Sequence, residues 1–101
     1  MKNQTKAKML RVYVGEFDQM NGGPLYAALV ARFMEIGVAG ATVLRPSSGT
    51  RLLVEAVDIP DRIDIALAAL DDMGIDGLAT VQDVTAIRYF KDPKCGREGG
   101  K

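Results

Sequence analysis

A helix that has to stop at Gly37 and a strand that has to begin at Ala41 constrain this chain more than any other feature. Leu25, Leu29, Arg32, Phe33 and Ile36 recur at 3.6-residue spacing, the pattern of an amphipathic helix. Gly37 follows where a helix end calls for a left-handed residue. Beyond it, Ala41, Val43 and Arg45 alternate with Thr42 and Leu44, as on a strand. Arg45-Pro46-Ser47-Ser48-Gly49-Thr50-Arg51 is then a short polar loop with a cation at each end. Leu52-Leu53-Val54-Glu55-Ala56-Val57 returns as the next strand, and the hairpin so formed is where function is expected.

The remaining elements arrange themselves around that hairpin. Met9-Leu10-Arg11-Val12-Tyr13-Val14 alternates as a first strand, with Leu10, Val12 and Val14 on one face. Residues 15–23 read as a loop, and Pro24 suits the first position of the helix ending at Ile36. Asp58-Ile59-Pro60-Asp61 opens a second helix, whose stripe is Ile63, Ala66, Leu67 and Leu70 and whose end is Gly74. Ile75 to Thr80 reads as a short glycine-bearing loop and Asp83 to Phe90 as the last strand. Residues 1–8 read as an N-terminal tail, 9–91 as one domain, and 92–101 as a flexible C-terminal tail. The order β-α-β-β-α-β predicts an α+β, ferredoxin-like sandwich with both helices on one face of an antiparallel sheet.

Charge and composition narrow the function classes. Thirteen basic and thirteen acidic residues cancel, so there is no bulk field to attract nucleic acid. No apolar run reaches the ~20 residues of a membrane-spanning helix, and the basic N-terminus lacks the apolar core of a signal peptide, so a cytoplasmic protein is expected. There is no histidine and a single cysteine, Cys95, which leaves few candidates for acid–base or metal chemistry. Leu52-Leu53-Val54 is apolar without alternation, and the last strand carries Val84 and Ala86 as well as Ile87 and Tyr89. A sheet apolar on both faces predicts self-association through the face the helices leave open.

Gly15-Glu16-x-Asp18, Gly22-x-Pro24-Leu25-Tyr26, Gly37-x-Ala39-Gly40-Ala41-Thr42-Val43-Leu44-Arg45 and Asp83-Val84-x-x-Ile87 together resemble the PII-like family described as domain of unknown function 190. The resemblance covers roughly residues 8 to 91. It implies a ferredoxin-like homotrimer that binds adenine nucleotides in clefts between subunits and signals through a long loop, the T-loop, between strands two and three. Here only Pro46 to Thr50 stands in that place, with Arg45 before it, so Arg45, Pro46, Ser47, Ser48, Gly49 and Thr50 are the expected partner-contacting loop in shortened form.

Carried over residue by residue, the resemblance puts Gly40 and Thr42 beside the adenine, and Arg51 and Glu55 on the strand facing the nucleotide cleft. Gly77, Leu78, Ala79 and Thr80 occupy the place of the phosphate-holding B-loop without its lysine, and Arg88 or Lys91 stands in for the arginines of the last strand. Backbone amides of a glycine loop hold an anion unaided, but a triphosphate calls for more cations than these. AMP or ADP is therefore the expected ligand, with no metal. Lys94-Cys95-Gly96-Arg97-Glu98-Gly99-Gly100 is similar to the tails of PII-like proteins of inorganic-carbon handling. That extends the expectation to bicarbonate, and to a target protein such as a transporter or a carbon-handling complex. The implied activity is regulatory rather than enzymatic; the alternatives are a scaffold trimer with a vestigial cleft, or a small enzyme. Local physics offers its own reading of several of these residues. Gly37 and Gly40 serve turn geometry in any protein, Arg45 and Arg51 suit a solvated hairpin, and Glu55 in an apolar strand needs a partner, for which Arg51 and Arg88 are the candidates.

Overall fold

The computed structural model describes residues 1–47 and 49–91. Four strands, β1 (Lys2–Gly15), β4 (Ala41–Leu44), β5 (Arg51–Asp58) and β6 (Leu78–Tyr89), form one antiparallel sheet in the order β4-β5-β1-β6. Helices α1 (Leu25–Ile36) and α2 (Pro60–Met73) lie on one face, the expected ferredoxin-like arrangement. The pair β2 (Gln19–Met20) and β3 (Gly23–Pro24) makes a small ribbon before α1.

Local chemistry accounts for most boundaries. Gly37 (φ 89°) and Gly74 (φ 63°) take the left-handed conformation that ends α1 and α2, as the sequence predicts. Pro24, expected inside the helix, is instead its N-cap residue, extended at ψ 137°, because it also pairs with Gln19 in the β2–β3 ribbon. Asn21 and Gly22 both have positive φ, 54° and 82°, the dipeptide and geometry of a tight hairpin turn. The expectation for residues 15–23 missed that hairpin.

The core joins one sheet face to both helices. Leu10, Val12 and Val14 of β1 and Leu52, Val54 and Ala56 of β5 pack against Leu25, Leu29 and Phe33 of α1 and Ile63, Ala66 and Leu70 of α2. Among the described residues no polar or charged residue is buried, so this core holds by apolar burial alone.

Two expectations about extent are corrected. β1 starts at Lys2 rather than Met9, so most of the expected N-terminal tail is strand, paired with β6 from Lys2–Tyr89 through Tyr13–Leu78. β6 starts at Leu78 rather than Asp83, which takes Leu78, Ala79 and Thr80 out of the expected loop. The cause is the same in both cases: each strand extends because the other is there to accept its hydrogen bonds, whatever the apolar pattern. The tail expected over 92–101, with Cys95 and the carbon-handling motif, lies outside the described residues, as does Ser48.

Candidate functional site

The sheet face away from the helices carries the candidate site, and strand register arranges it in rows. Thr42 on β4 opposes Glu55 on β5, Glu55 opposes Arg11 on β1, and Arg11 opposes Thr80 on β6. One row above, Leu44, Leu53, Tyr13 and Leu78 cross the same four strands. Val57 and Met9 oppose each other one row below Glu55 and Arg11. A polar row is thus flanked by apolar side chains on a face without covering helices.

Inside the polar row, Arg11 Nε donates to Glu55 Oε2 at 2.8 Å. The hydrogen bond to Glu55 raises the Arg11 guanidinium above its ordinary value, against the opposing effect of burial. Glu55 therefore finds the partner that its apolar strand requires, but that partner is Arg11 rather than Arg51 or Arg88. Only register identifies Arg11, because it lies 44 residues away in sequence. Tyr13, two residues along β1 on the same face, also favours the charged guanidinium, and a guanidinium has donors to spare for an acceptor-rich group on this face.

The hairpin loop is tied to its own domain. Arg45 Nη1 donates to Glu16 Oε2, and the Glu16 amide donates to the Thr50 carbonyl at 2.5 Å. Gly15, paired with Arg51 in the β1–β5 ladder, is locked from the other side by Asp18, whose Oδ2 accepts from its amide at 2.9 Å. Gly15-Glu16-x-Asp18, read in sequence as a family signature, acts here as the clasp of the β4–β5 turn. Arg51 emerges exposed beside that clasp.

The other expected site residues separate into two groups. Gly40 (φ 86°) leads into β4 next to Thr42, and Gly77 leads into β6 next to Leu78. Gly77 is a glycine for a packing reason: a Cβ there would lie 2.5 Å from the Tyr13 carbonyl oxygen. With Leu78, Ala79 and Thr80 in β6, only Gly77 of the expected phosphate-holding loop Gly77–Thr80 lies outside the strand. Arg88 pairs with Asn3 at the far end of the β1–β6 ribbon, and Lys91 lies just beyond. Eight residues of strand separate Arg88 from Thr80, ~27 Å at ~3.4 Å per residue. Within one chain, then, Thr42, Glu55 and Thr80 share a row, Arg51 sits near its upper end, and Arg88 and Lys91 are remote.

An adenine nucleotide fits these donors in part. The hydroxyls of Thr42 and Thr80, the Glu55 carboxylate and the Arg11 guanidinium offer hydrogen bonds to a base or ribose, and Arg51 offers one exposed cation to a phosphate. Among the described residues no cluster of His, Cys, Asp or Glu is placed to hold a metal ion, and no helix is long and apolar enough to cross a membrane.

Known proteins resemble this chain in the same terms. Residues 7–52 match the DUF190 family, described as an uncharacterized ACR. A UPF0166 protein of Aquifex aeolicus (strain VF5) is 29% identical over 100 residues, covering 81% of this chain and 94% of the relative. In three dimensions the chain is similar to a PII-like signalling protein of Thermus thermophilus, with a TM-score of 0.67 at 15% identity, covering 83% of this chain and 91% of that one. It is also similar to CPII of Thiomonas intermedia K12, a nitrogen regulatory PII-like protein solved bound to ADP, AMP and bicarbonate. There the TM-score is 0.62 at 15% identity, with 83% of this chain and 98% of that one covered. The resemblance to DUF190 and the PII-like fold is thereby shown.

Proposed function

We propose that this chain, carrying the DUF190 signature on a PII-like fold, is a non-catalytic regulatory protein. It works as a homotrimer that binds AMP or ADP in the clefts between subunits and reports metabolic state to a partner protein. The observation that carries this reading is the open sheet face, where a polar row of Thr42, Glu55, Arg11 and Thr80 lies between apolar rows. Apolar rows of that kind favour burial against further copies, and the polar row supplies directional hydrogen bonds within the buried zone. The bound ADP, AMP and bicarbonate of CPII support the same ligand class for this chain, bicarbonate included.

Chemistry argues for sensing over turnover. With no histidine in the sequence, a general base matched to neutral pH has no ordinary candidate. Ligand choice follows from charge: Arg51 is exposed, Arg45 is engaged by Glu16, and the nearby glycine turn brings no lysine. That set balances one or two phosphates better than three. A short turn clasped by Glu16 stands in place of a long arm, and the partner, a transporter or a carbon-handling complex, reads that shortened surface.

Arg51→Ala tests the site. It should weaken ADP binding by ~1.5–3 kcal/mol, the scale of a charge-assisted hydrogen bond, without lowering the melting temperature. Unchanged affinity removes Arg51 from the site. Identification of the small molecule that co-purifies with the chain tests the ligand class. A purified trimer that binds neither nucleotide nor bicarbonate would favour the scaffold reading, to which the loss of Leu78–Thr80 from the phosphate loop lends support.

A further inference from the structure

β1 outlasts the strand beside it. Its last rung with β5 is Lys8–Asp58, because Pro60 has no amide to continue the ladder and opens α2 instead. β6 goes on pairing from there to Lys2–Tyr89, and Met1 and Phe90 add two backbone bonds of 3.0 Å. Residues 2–7 of β1 therefore belong to a two-stranded ribbon, and among the described residues nothing pairs with their β5-side edge. Two strands alone are marginal in water, and a third is what such a ribbon lacks. The vacant lane is a groove of about 480 Å³, lined by Asn3, Thr5 and Ala7 of β1 and by Ala39, Val57 and Ile59 around the end of β5. Ala7 and Ala39 leave room there for another backbone to come close.

Charge divides the chain in the same place. Residues 1–8 and 83–91 hold five of the thirteen basic side chains, Lys2, Lys6, Lys8, Arg88 and Lys91, but only one of the thirteen acidic ones, Asp83. The chain as a whole is neutral, so the ribbon is basic and the rest acidic. None of the five forms an ion pair among the described residues. Register puts Lys2, Gln4 and Lys6 on the helix side of the ribbon and Asn3, Thr5 and Ala7 on the open side, with Arg88 opposite Asn3. Among the described residues one carboxylate lines the lane, that of Asp58, and it is already engaged. Its oxygens accept from the amides of Ala39 at 2.8 Å and Ile59 at 2.6 Å.

We propose that the Lys2–Ala7 edge of β1 docks an extended acidic segment of a partner protein, which adds as a third strand in the lane that β5 leaves. The site lies at the other end of β5 from the β4–β5 turn and is independent of the nucleotide reading. Charge decides between occupants. A second copy of this edge, laid antiparallel about Gln4, would set Lys2 and Lys6 against each other's copies, a like-charge contact made twice. Residues 92–101 carry three basic and two acidic side chains, so they bring no net negative charge either. An acidic strand of six residues, ~20 Å long, matches the edge. Its alternate carboxylates face Lys2 and Lys6, and the small apolar residues between them face Ala7, Val57 and Ile59 in the groove. Main-chain bonds hold such a strand, and the lysines choose it.

A labelled synthetic octapeptide alternating glutamate with valine tests the site on the full-length chain by fluorescence anisotropy. It should bind, and an octapeptide alternating lysine with valine should bind about tenfold more weakly, the scale of two cross-strand charge pairs turned from attraction to repulsion. Lys2→Glu combined with Lys6→Glu, both at exposed positions, should leave the circular dichroism unchanged and reverse that preference. N-methylation of one alternate set of the acidic peptide's amides should abolish binding while methylation of the other set should not, because only one set faces β1. Amide exchange followed by NMR should slow within residues 2–7, at the amides that face away from β6. No binding of the acidic octapeptide at millimolar concentration, equal affinity for the two octapeptides, indifference to both methylations, or protection confined to β6 would each overturn the proposal. Tighter binding of a short DNA duplex or of phosphatidylserine vesicles than of the acidic octapeptide would overturn it in favour of a general polyanion surface.

Discussion

Replacing Gly77 with alanine separates packing from ligand binding at one position. The added Cβ would stand 2.5 Å from the Tyr13 carbonyl oxygen, about 0.9 Å short of ordinary contact at 3.4 Å. That oxygen is backbone, held within the β1–β5 ladder and at the last rung of the β1–β6 ladder, and cannot swing away as a side chain would. The first rung of β6, Tyr13–Leu78, must therefore open or tilt. Overpacking of this kind costs ~1–3 kcal/mol. For a domain of about this size, 1 kcal/mol moves the melting temperature by ~4–8 °C, so a fall of roughly 5–20 °C is expected. Gly23→Ala is the control: nothing lies within 4 Å of the added methyl and its φ is not positive, so it should be neutral or slightly stabilising. Thermal and urea melts followed by circular dichroism read both variants. A Gly77→Ala protein that melts with wild type would refute the close-approach argument. If the same variant also lost ADP binding, Gly77 would be reassigned to holding phosphate.

Other perturbations follow from the same contacts. Phe33→Ala empties the centre of the core, where the ring is fully buried, and should cost ~3–5 kcal/mol by urea titration; a loss under 1 kcal/mol would show that the helices do not pack as described. Glu55→Ala leaves Arg11 unpaired on the open face, so it should impair both stability and ADP affinity, whereas Glu55→Gln should recover part of the stability; equal behaviour of the two would deny the ion pair a role. Arg11 has a raised value in the folded chain, so its stabilising contribution is complete below the unfolded-state value and is lost only as pH climbs through the folded one, far above neutrality. With no histidine to titrate, urea midpoints should stay nearly level from about pH 6 to 8, and a steep slope there would contradict this.

Glycines, the apolar stripes and element order were legible in the sequence because they act locally. Gly37 and Gly74 end helices through their own φ, and Leu25, Leu29 and Phe33 declare a buried face by spacing alone. What was hidden depends on partners. Lys2 to Lys6 alternate nothing apolar, yet they form strand because β6 is beside them. Leu78 to Thr80 look like loop residues after two glycines, although Gly77 is there to let β6 approach β1. The Asn21-Gly22 turn is legible in its dipeptide, since both residues take the positive φ that Asn-Gly favours. Arg11 as the partner of Glu55 and Glu16 as the partner of Arg45 follow only from register and loop closure. Of the candidate site, the row residues Thr42, Glu55 and Thr80 were named from resemblance. Arg88 and Lys91, named with them, lie at the other end of the ribbon.

Calorimetric titration of the purified wild-type chain with AMP, ADP and ATP under matched magnesium tests the central claim most directly. The account predicts saturable binding of AMP and ADP, one site per chain, with ATP weaker because the cleft offers few cations. Absence of AMP and ADP binding at millimolar concentration, or ATP binding at least as tightly as ADP, would contradict it.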